Sequence, residues 1–164
     1  MISIRKTEIA DLDRLMDIFE QARHIMRQSG NLKQWTGGYP TPDILRQDIA
    51  NGNSYVCLDE SEKIIGTFAF IPGEEPTYNH IYEGAWIDNV RPYATIHRLA
   101  STLDSRGVAT ACLEWCGRQC DNLRADTHRD NHILQHILSK YGFRYCGIIY
   151  LKNGDERLAY QRIC

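Results

Sequence analysis

The hydrophobic period of this chain switches repeatedly between two residues and 3.6, and the order of those switches admits few folds. Ile2–Lys6 alternates as a first strand. Ala10–Arg27 then carries Leu12, Leu15, Met16, Ile18, Phe19, Ala22 and Ile25, the stripe of an amphipathic helix that Gly30 and Asn31 end. A loop rich in glycine and aromatics, Gln34–Pro40, leads to Thr41 and Pro42, which read as the N-cap and first residue of a second helix reaching Ala50. Ser54–Asp59 and Ile64–Ile71 form an antiparallel pair across the polar turn Glu60–Lys63, and Pro72–Tyr82 is irregular. Thr95–Thr102 is a strand, Val108–Cys120 a helix, Leu123–Thr127 a short strand and Asn131–Tyr141 a helix. Phe143–Leu151 and Leu158–Ile163 close the chain as a hairpin over Asn153-Gly154-Asp155. Hairpins mixed with βαβ crossovers require a mixed sheet, and two sets of helices cover both of its faces, an α/β architecture.

With 164 residues and no linker, repeat or low-complexity stretch, the expectation is one domain over residues 1–164. A net charge of −2 offers no global basic field for nucleic acid or anionic lipid. The segment MISIRKTEIADL lacks the apolar core of a signal peptide, so a cytoplasmic protein is expected, with neither membrane nor nucleic acid as partner. In that compartment the six cysteines, at 57, 112, 116, 120, 146 and 164, are expected as reduced thiols. Cys112, Cys116 and Cys120 share one helix side, and His128, His132 and His136 repeat with the same spacing. Core packing for the former and solvation for the latter explain them, and no metal is expected.

Chemistry concentrates in the segment from His97 to Ala111. A strand runs into a tight turn and straight into a helix, with the small residues Gly107, Ala109 and Ala111 at the corner. The first N–H groups of a helix have no intrahelical partner, and with the helix dipole they make an anion site suited to a pyrophosphate. Arg106 adds a cation beside it. A strand–helix corner packed with small residues is the plainer reading of the same pattern.

Arg106-Gly107-Val108-Ala109-Thr110-Ala111 resembles the pyrophosphate loop of the GNAT N-acetyltransferase family, with Ala109 where the first glycine of the motif is usual. Asn131, Lys140 and Gly142-Phe143 follow the family's downstream Asn…Tyr-x-Lys-x-Gly-Phe segment in spacing, and element order matches from Ile2 to Ile163. The resemblance implies the GNAT acyl-CoA N-acyltransferase fold, with acetyl-CoA as acyl donor and a splayed pair of central strands around its pantetheine arm. It implies pantetheine contacts from the backbone of Leu99, Ala100 and Ser101, and pyrophosphate contacts from Arg106, Gly107, Val108, Ala109, Thr110 and Ala111. It further implies a cofactor contact from Asn131. A homodimer is favoured by the resemblance alone.

Aminolysis of a thioester needs a neutral amine, hence a base, and gains from an acid at the departing thiolate. Strand alternation puts Thr95, His97, Leu99 and Ser101 on one face, and His97 is either the base or a hydrogen-bonded core histidine. Glu83, between Tyr82 and Trp86, is a second candidate, as base or as anchor for an ammonium group, or else a solvated carboxylate. The family's tyrosine acid falls on Leu138, so the proton comes from Tyr141 or Tyr150, or the thiolate leaves without help. Trp35, Tyr39, Tyr82 and Trp86 mark the expected acceptor side. The acceptor is expected to be a small-molecule or peptide primary amine attacking directly in a ternary complex, with amino acid, polyamine, drug, peptide N-terminus and protein lysine all open. Two alternatives stand beside acetyl transfer: an acyl-CoA-binding protein of this fold with weakened turnover, and an unrelated α/β nucleotide-binding domain.

Overall fold

In a computed structural model that describes residues 1–164, the expected periodicities resolve into seven strands and four helices. Strand β1 (Ser3–Lys6) is followed by α1 (Leu12–Gln28), which buries Leu15, Ile18, Phe19 and Ala22 along its stripe. The helix starts two residues later than its periodicity suggests. Asp11 accepts the Glu8 N–H at 2.8 Å and holds Arg5 at 2.9 Å, which makes Ile9–Asp11 a separate 3₁₀ turn. Helix α2 (Pro42–Ala50) has Thr41 as its N-cap, with the hydroxyl accepting from the Ile44 N–H at 3.4 Å. Strands β2 (Ser54–Leu58), β3 (Ile64–Pro72) and β4 (Ala94–Ser101) precede α3 (Val108–Gln119) and β5 (Asn122–Thr127). Helix α4 (His132–Lys140), β6 (Arg144–Tyr150) and β7 (Glu156–Ile163) complete the chain.

The end of α4 explains the Lys140-Tyr141-Gly142-Phe143 pattern physically. Gly142 adopts φ +88°, and the Phe143 N–H bonds back to Leu138 O at 2.9 Å while the Gly142 N–H reaches Ser139 O at 3.2 Å. This is a Schellman stop, which satisfies the last helical carbonyls and turns Phe143 into the core.

All seven strands form one sheet in the order β1-β2-β3-β4-β5-β7-β6, in which only β4 and β5 run parallel. One face carries α3 and α4, whose Val108, Cys112, Leu113, Cys116 and Leu138 pack with Phe68, Phe70, Leu123, Leu158 and Tyr160. The other face carries α1 and α2 over Val56 and Ala100. Residues 73–93, irregular apart from a 3₁₀ turn at Pro76–Tyr78, take the place of a helix over the rest of that face. Buried Gln161 fastens this segment, accepting from the Ile87 N–H at 2.7 Å and donating to Asp88 O at 2.9 Å. Arg124 does the same from beneath, with its guanidinium 4.0 Å from the Trp86 ring centre and 3.9 Å from that of Tyr93. No helix is long and apolar enough to cross a membrane.

Strict alternation fails along β4. Ala69 pairs with His97 but Thr67 with Ala100, so β4 carries an extra residue, a bulge at Arg98 with φ +54°. Leu99 therefore joins Ile96 on the α3 face, while Ala100 packs against α1, on the face of His97. The expected common face for Thr95, His97, Leu99 and Ser101 is corrected accordingly: it holds for Thr95 and His97 only.

Candidate active site

Strands β4 and β5 are paired at only two positions, Ala94 with Leu123 and Thr95 with Arg124. Beyond Thr95 the parallel strands part, and a cleft of about 590 Å³ opens through the sheet. The bulge is held on the β4 side by a largely buried ion pair. Arg98 donates to both carboxylate oxygens of Asp48 on α2, at 2.8 and 2.7 Å, and to the Tyr39 hydroxyl at 3.1 Å. Alternation from Thr102, whose N–H reaches Ile65 O on β3 at 3.0 Å, sends the Ala100 amide to β3 as well and leaves those of Leu99 and Ser101 facing the opening. Of the three residues expected to offer backbone to a pantetheine arm, Ala100 is thus committed to the sheet.

One end of the cleft is the start of α3. Gly107 caps it at φ +81°, and the N–H groups of Val108, Ala109 and Thr110 have no partner. The Ala111 N–H bonds to Gly107 O at 3.0 Å, so the free amides number three and exclude Ala111, contrary to the sequence expectation. Gly66 on β3 permits this approach: a Cβ there would collide with Val108 Cγ1 and lie 3.1 Å from Ala100 O. Val108 and Ala109 line the cleft, whereas Arg106 is exposed in a shallow depression beside Ile2, Lys63 and Asp104.

Across the opening, Asn131 caps α4, its Oδ1 accepting from the Leu134 N–H at 3.1 Å. Its Nδ2 donates at 3.1 Å to Oε1 of buried Gln34, which also receives Asn31 Nδ2 at 2.9 Å. The α1–α2 loop is thereby tied to the β5–α4 turn at the cleft mouth. Leu138 lines the wall where a tyrosine was expected. Tyr141 points elsewhere, sharing a 2.7 Å hydrogen bond with the Thr110 hydroxyl, and Tyr150 packs on exposed Tyr82 with ring centres 5.4 Å apart.

On the face opposite α3 and α4, His97 meets a carboxylate that the sequence had not singled out. His97 Nε2 lies 3.5 Å from Glu75 Oε1, and Glu75 Oε2 accepts the Thr77 N–H at 2.9 Å. The imidazole beside it, helped by that amide, holds the Glu75 carboxyl down at about 2 against the opposing effect of burial. Buried Tyr78 lies under His97, with ring centres 6.3 Å apart, and donates its hydroxyl to Asp126 Oδ2 at 2.6 Å. Glu75, His97, Asp126, Trp35 and Tyr39 all line the cleft. Glu83 is exposed outside it, at φ +55° in a segment bridged to β6 through Tyr82 and Ile148, and Trp86 is buried under the 73–93 segment. Glu75 escaped sequence reading because its segment has no period. Asp126 lies on β5, within the strand expected over Leu123–Thr127, where nothing local marks it as a site residue.

Cys57, Cys112, Cys116 and Cys146 are buried, Cys120 is half-buried and Cys164 is exposed. Burial pushes Cys57 up to about 12 and Cys112 well above the ordinary range, and no cysteine is paired. No three His, Cys, Asp or Glu side chains converge as metal ligands.

A mixed sheet parted between two parallel strands, with free helix amides at one end of the gap, is the GNAT acyltransferase fold. A GNAT-family acetyltransferase from Streptococcus agalactiae 2603 superposes with a TM-score of 0.88 at 34% identity, over 99% of this chain and 95% of that one. The chain belongs to the GNAT acetyltransferase family. Two more distant structures share the fold. A GNAT-family acetyltransferase from Listeria monocytogenes 4b F2365 has a TM-score of 0.73 at 18% identity, covering 99% and 95% of the two chains. The NatC complex bound to Gag peptide and CoA has a TM-score of 0.62 at 15% identity, covering 99% and 98%. Neither protein-family models nor curated protein sequences give a match.

Proposed function

We propose that this protein transfers an acetyl group from acetyl-CoA to a primary amine by direct attack in a ternary complex. The observation that carries this reading is the continuous path from the three free amides of α3, along the open edge of β4, to the His97–Glu75 pair. The pyrophosphate sits on the Val108, Ala109 and Thr110 amides, with Gly107 giving it room and Arg106 adding positive charge nearby. Pantetheine lies along Leu99 and Ser101, with Asn131 across from it. A structure of similar fold is bound to CoA, which supports the choice of donor.

His97 takes the proton of the attacking nitrogen while Glu75 fixes the ring and balances the imidazolium that forms. The nitrogen lone pair adds to the thioester carbonyl, whose oxygen is stabilised by an unpaired β4 amide. Collapse forms the amide, breaks the C–S bond and releases CoA thiolate, which takes its proton from water. Leu138 and the bonded hydroxyl of Tyr141 favour this departure without a side-chain acid. Neutral buried thiols support attack on the thioester itself rather than an acyl-cysteine intermediate.

The test is release of free thiol from acetyl-CoA across a broad amine panel, alongside calorimetric titration with CoA. Amine-dependent thiol release is expected. CoA binding with no release on any amine would leave an acyl-CoA-binding protein, and competition by ATP or NAD would overturn the family's donor for this chain.

A further inference from the structure

Arg157 lies at the start of β7 and lines the cleft, with 7% of its surface exposed. Its single hydrogen bond runs from Nη1 to Glu156 O at 2.8 Å, and no carboxylate lies within ion-pairing distance. The neighbouring acids are engaged elsewhere: Glu156 holds Arg129 at 2.6 Å, Asp126 receives Tyr78, and Asp155 receives Asn153 Nδ2 at 3.1 Å. A guanidinium buried this deeply normally finds an anion, because removing it from water is costly. Its remaining N–H groups have no partner within the protein.

Register decides what that anion belongs to. Leu158 and Tyr160 pack on the α3 and α4 face, and Ala159 packs with Tyr78 and Trp86 on the other. Arg157, two residues before Ala159, shares the latter face with His97 and Glu75. The start of α3 sits on the opposite side, so the cofactor's phosphates are not the partner. Ala159 pairs with Asp126, which makes Arg157 and Asp126 diagonal neighbours on that face. A cation and a carboxylate on one face of the same cleft suit a short zwitterion, with its ammonium end toward Asp126 and His97 and its carboxylate on Arg157.

We infer that Arg157 binds a carboxylate carried by the acceptor, so that the acceptor is an amino acid whose reacting nitrogen lies within a few atoms of its own carboxylate. This rests on the cleft being the acetyl-transfer site. The experiment compares free α-amino acids with their carboxamides as acceptors in the thiol-release assay, for the wild type, Arg157→Gln and Arg157→Lys. The carboxamide has the less basic nitrogen and arrives more often neutral, which biases the comparison against the inference. Wild-type kcat/KM should favour the acid over its carboxamide by about 10- to 100-fold, the range of a charge-assisted pair. That ratio should fall toward one in Arg157→Gln and recover in part in Arg157→Lys, since lysine restores charge without the planar fork.

A wild-type ratio near or below one, with each kcat/KM expressed per neutral amine, would overturn the inference without any variant. So would an acid preference that survives in folded Arg157→Gln. If no amine releases thiol, the transfer reading fails on its own, and calorimetric binding of the amino acids to the CoA-loaded protein still decides Arg157. Binding by wild type that Arg157→Gln loses upholds the carboxylate site, whereas no binding, or equal binding, removes it.

Discussion

His97 and Glu75 act as a pair separated by 22 positions of sequence, and each makes a separate measurable prediction. His97→Ala should lower kcat/KM by roughly 10²–10⁴ near neutral pH, the usual loss for a general base, and the deficit should shrink as pH rises and more amine arrives unprotonated. Acetyl-CoA affinity should change little, because the imidazole lies on the face away from α3. Equal losses at all pH values would assign His97 a purely structural part. Glu75 bears on stability instead. Its folded-state pKa, about 2, lies below the unfolded value near ~4.3, so the stabilisation is fully present above the unfolded value and is lost as pH falls toward about 2. Urea unfolding should find Glu75→Gln less stable than wild type at neutral pH, with the gap closing across that acidic window. A gap that stays constant with pH would mean the charge of Glu75 is not what the fold uses. Exposed Glu83, by contrast, should tolerate Gln with kcat/KM within about two-fold of wild type, like other surface substitutions.

At the scale of elements, the first turn of α3 can approach the sheet only because β3 carries Gly66. Adding one methyl in Gly66→Ala meets Val108 side-chain atoms and a backbone oxygen, and overpacking of this kind costs about 1–3 kcal/mol. The helix start should move outward, and CoA affinity should fall more than acceptor KM changes; denaturation and CoA titration check the two effects. Unchanged CoA affinity would separate this helix start from the cofactor. The β4 bulge is the second such device. Its Arg98 is 13% exposed and its partner Asp48 10%, so Asp48→Ala strands a buried cation and should cost about 3–5 kcal/mol in urea unfolding. A loss below about 1 kcal/mol would show that water reaches Arg98 and that α2 does not hold the bulge.

For the whole molecule, the cleft exists because two halves of one sheet are joined at the β4–β5 seam by only two residue pairs. Helices α1 and α2 hold one half and α3 packs on its other face, while the 73–93 segment, through Arg124 and Gln161, braces the second half. The mouth is spanned by Gln34, which joins the α1–α2 loop to Asn131. The chemical groups along the cleft are thus divided by face: backbone amides and a helix start on the α3 side, ionisable side chains on the other.

Hydrophobic period, caps and turn residues determined the order of elements, the mixed sheet with helices on both faces, and the strand–turn–helix corner around Gly107, since each depends on neighbours a few residues apart. The N-cap at Thr41 was legible for the same reason. Tertiary structure alone decided where β4 breaks alternation, because the bulge at Arg98 is stabilised by Asp48, 50 residues away. It alone brought Glu75 to His97, Tyr78 to Asp126 and Gln34 to Asn131, and left Arg157 buried without an anion. Such pairings depend on register and on which face a strand presents, and no local pattern of residue types encodes them.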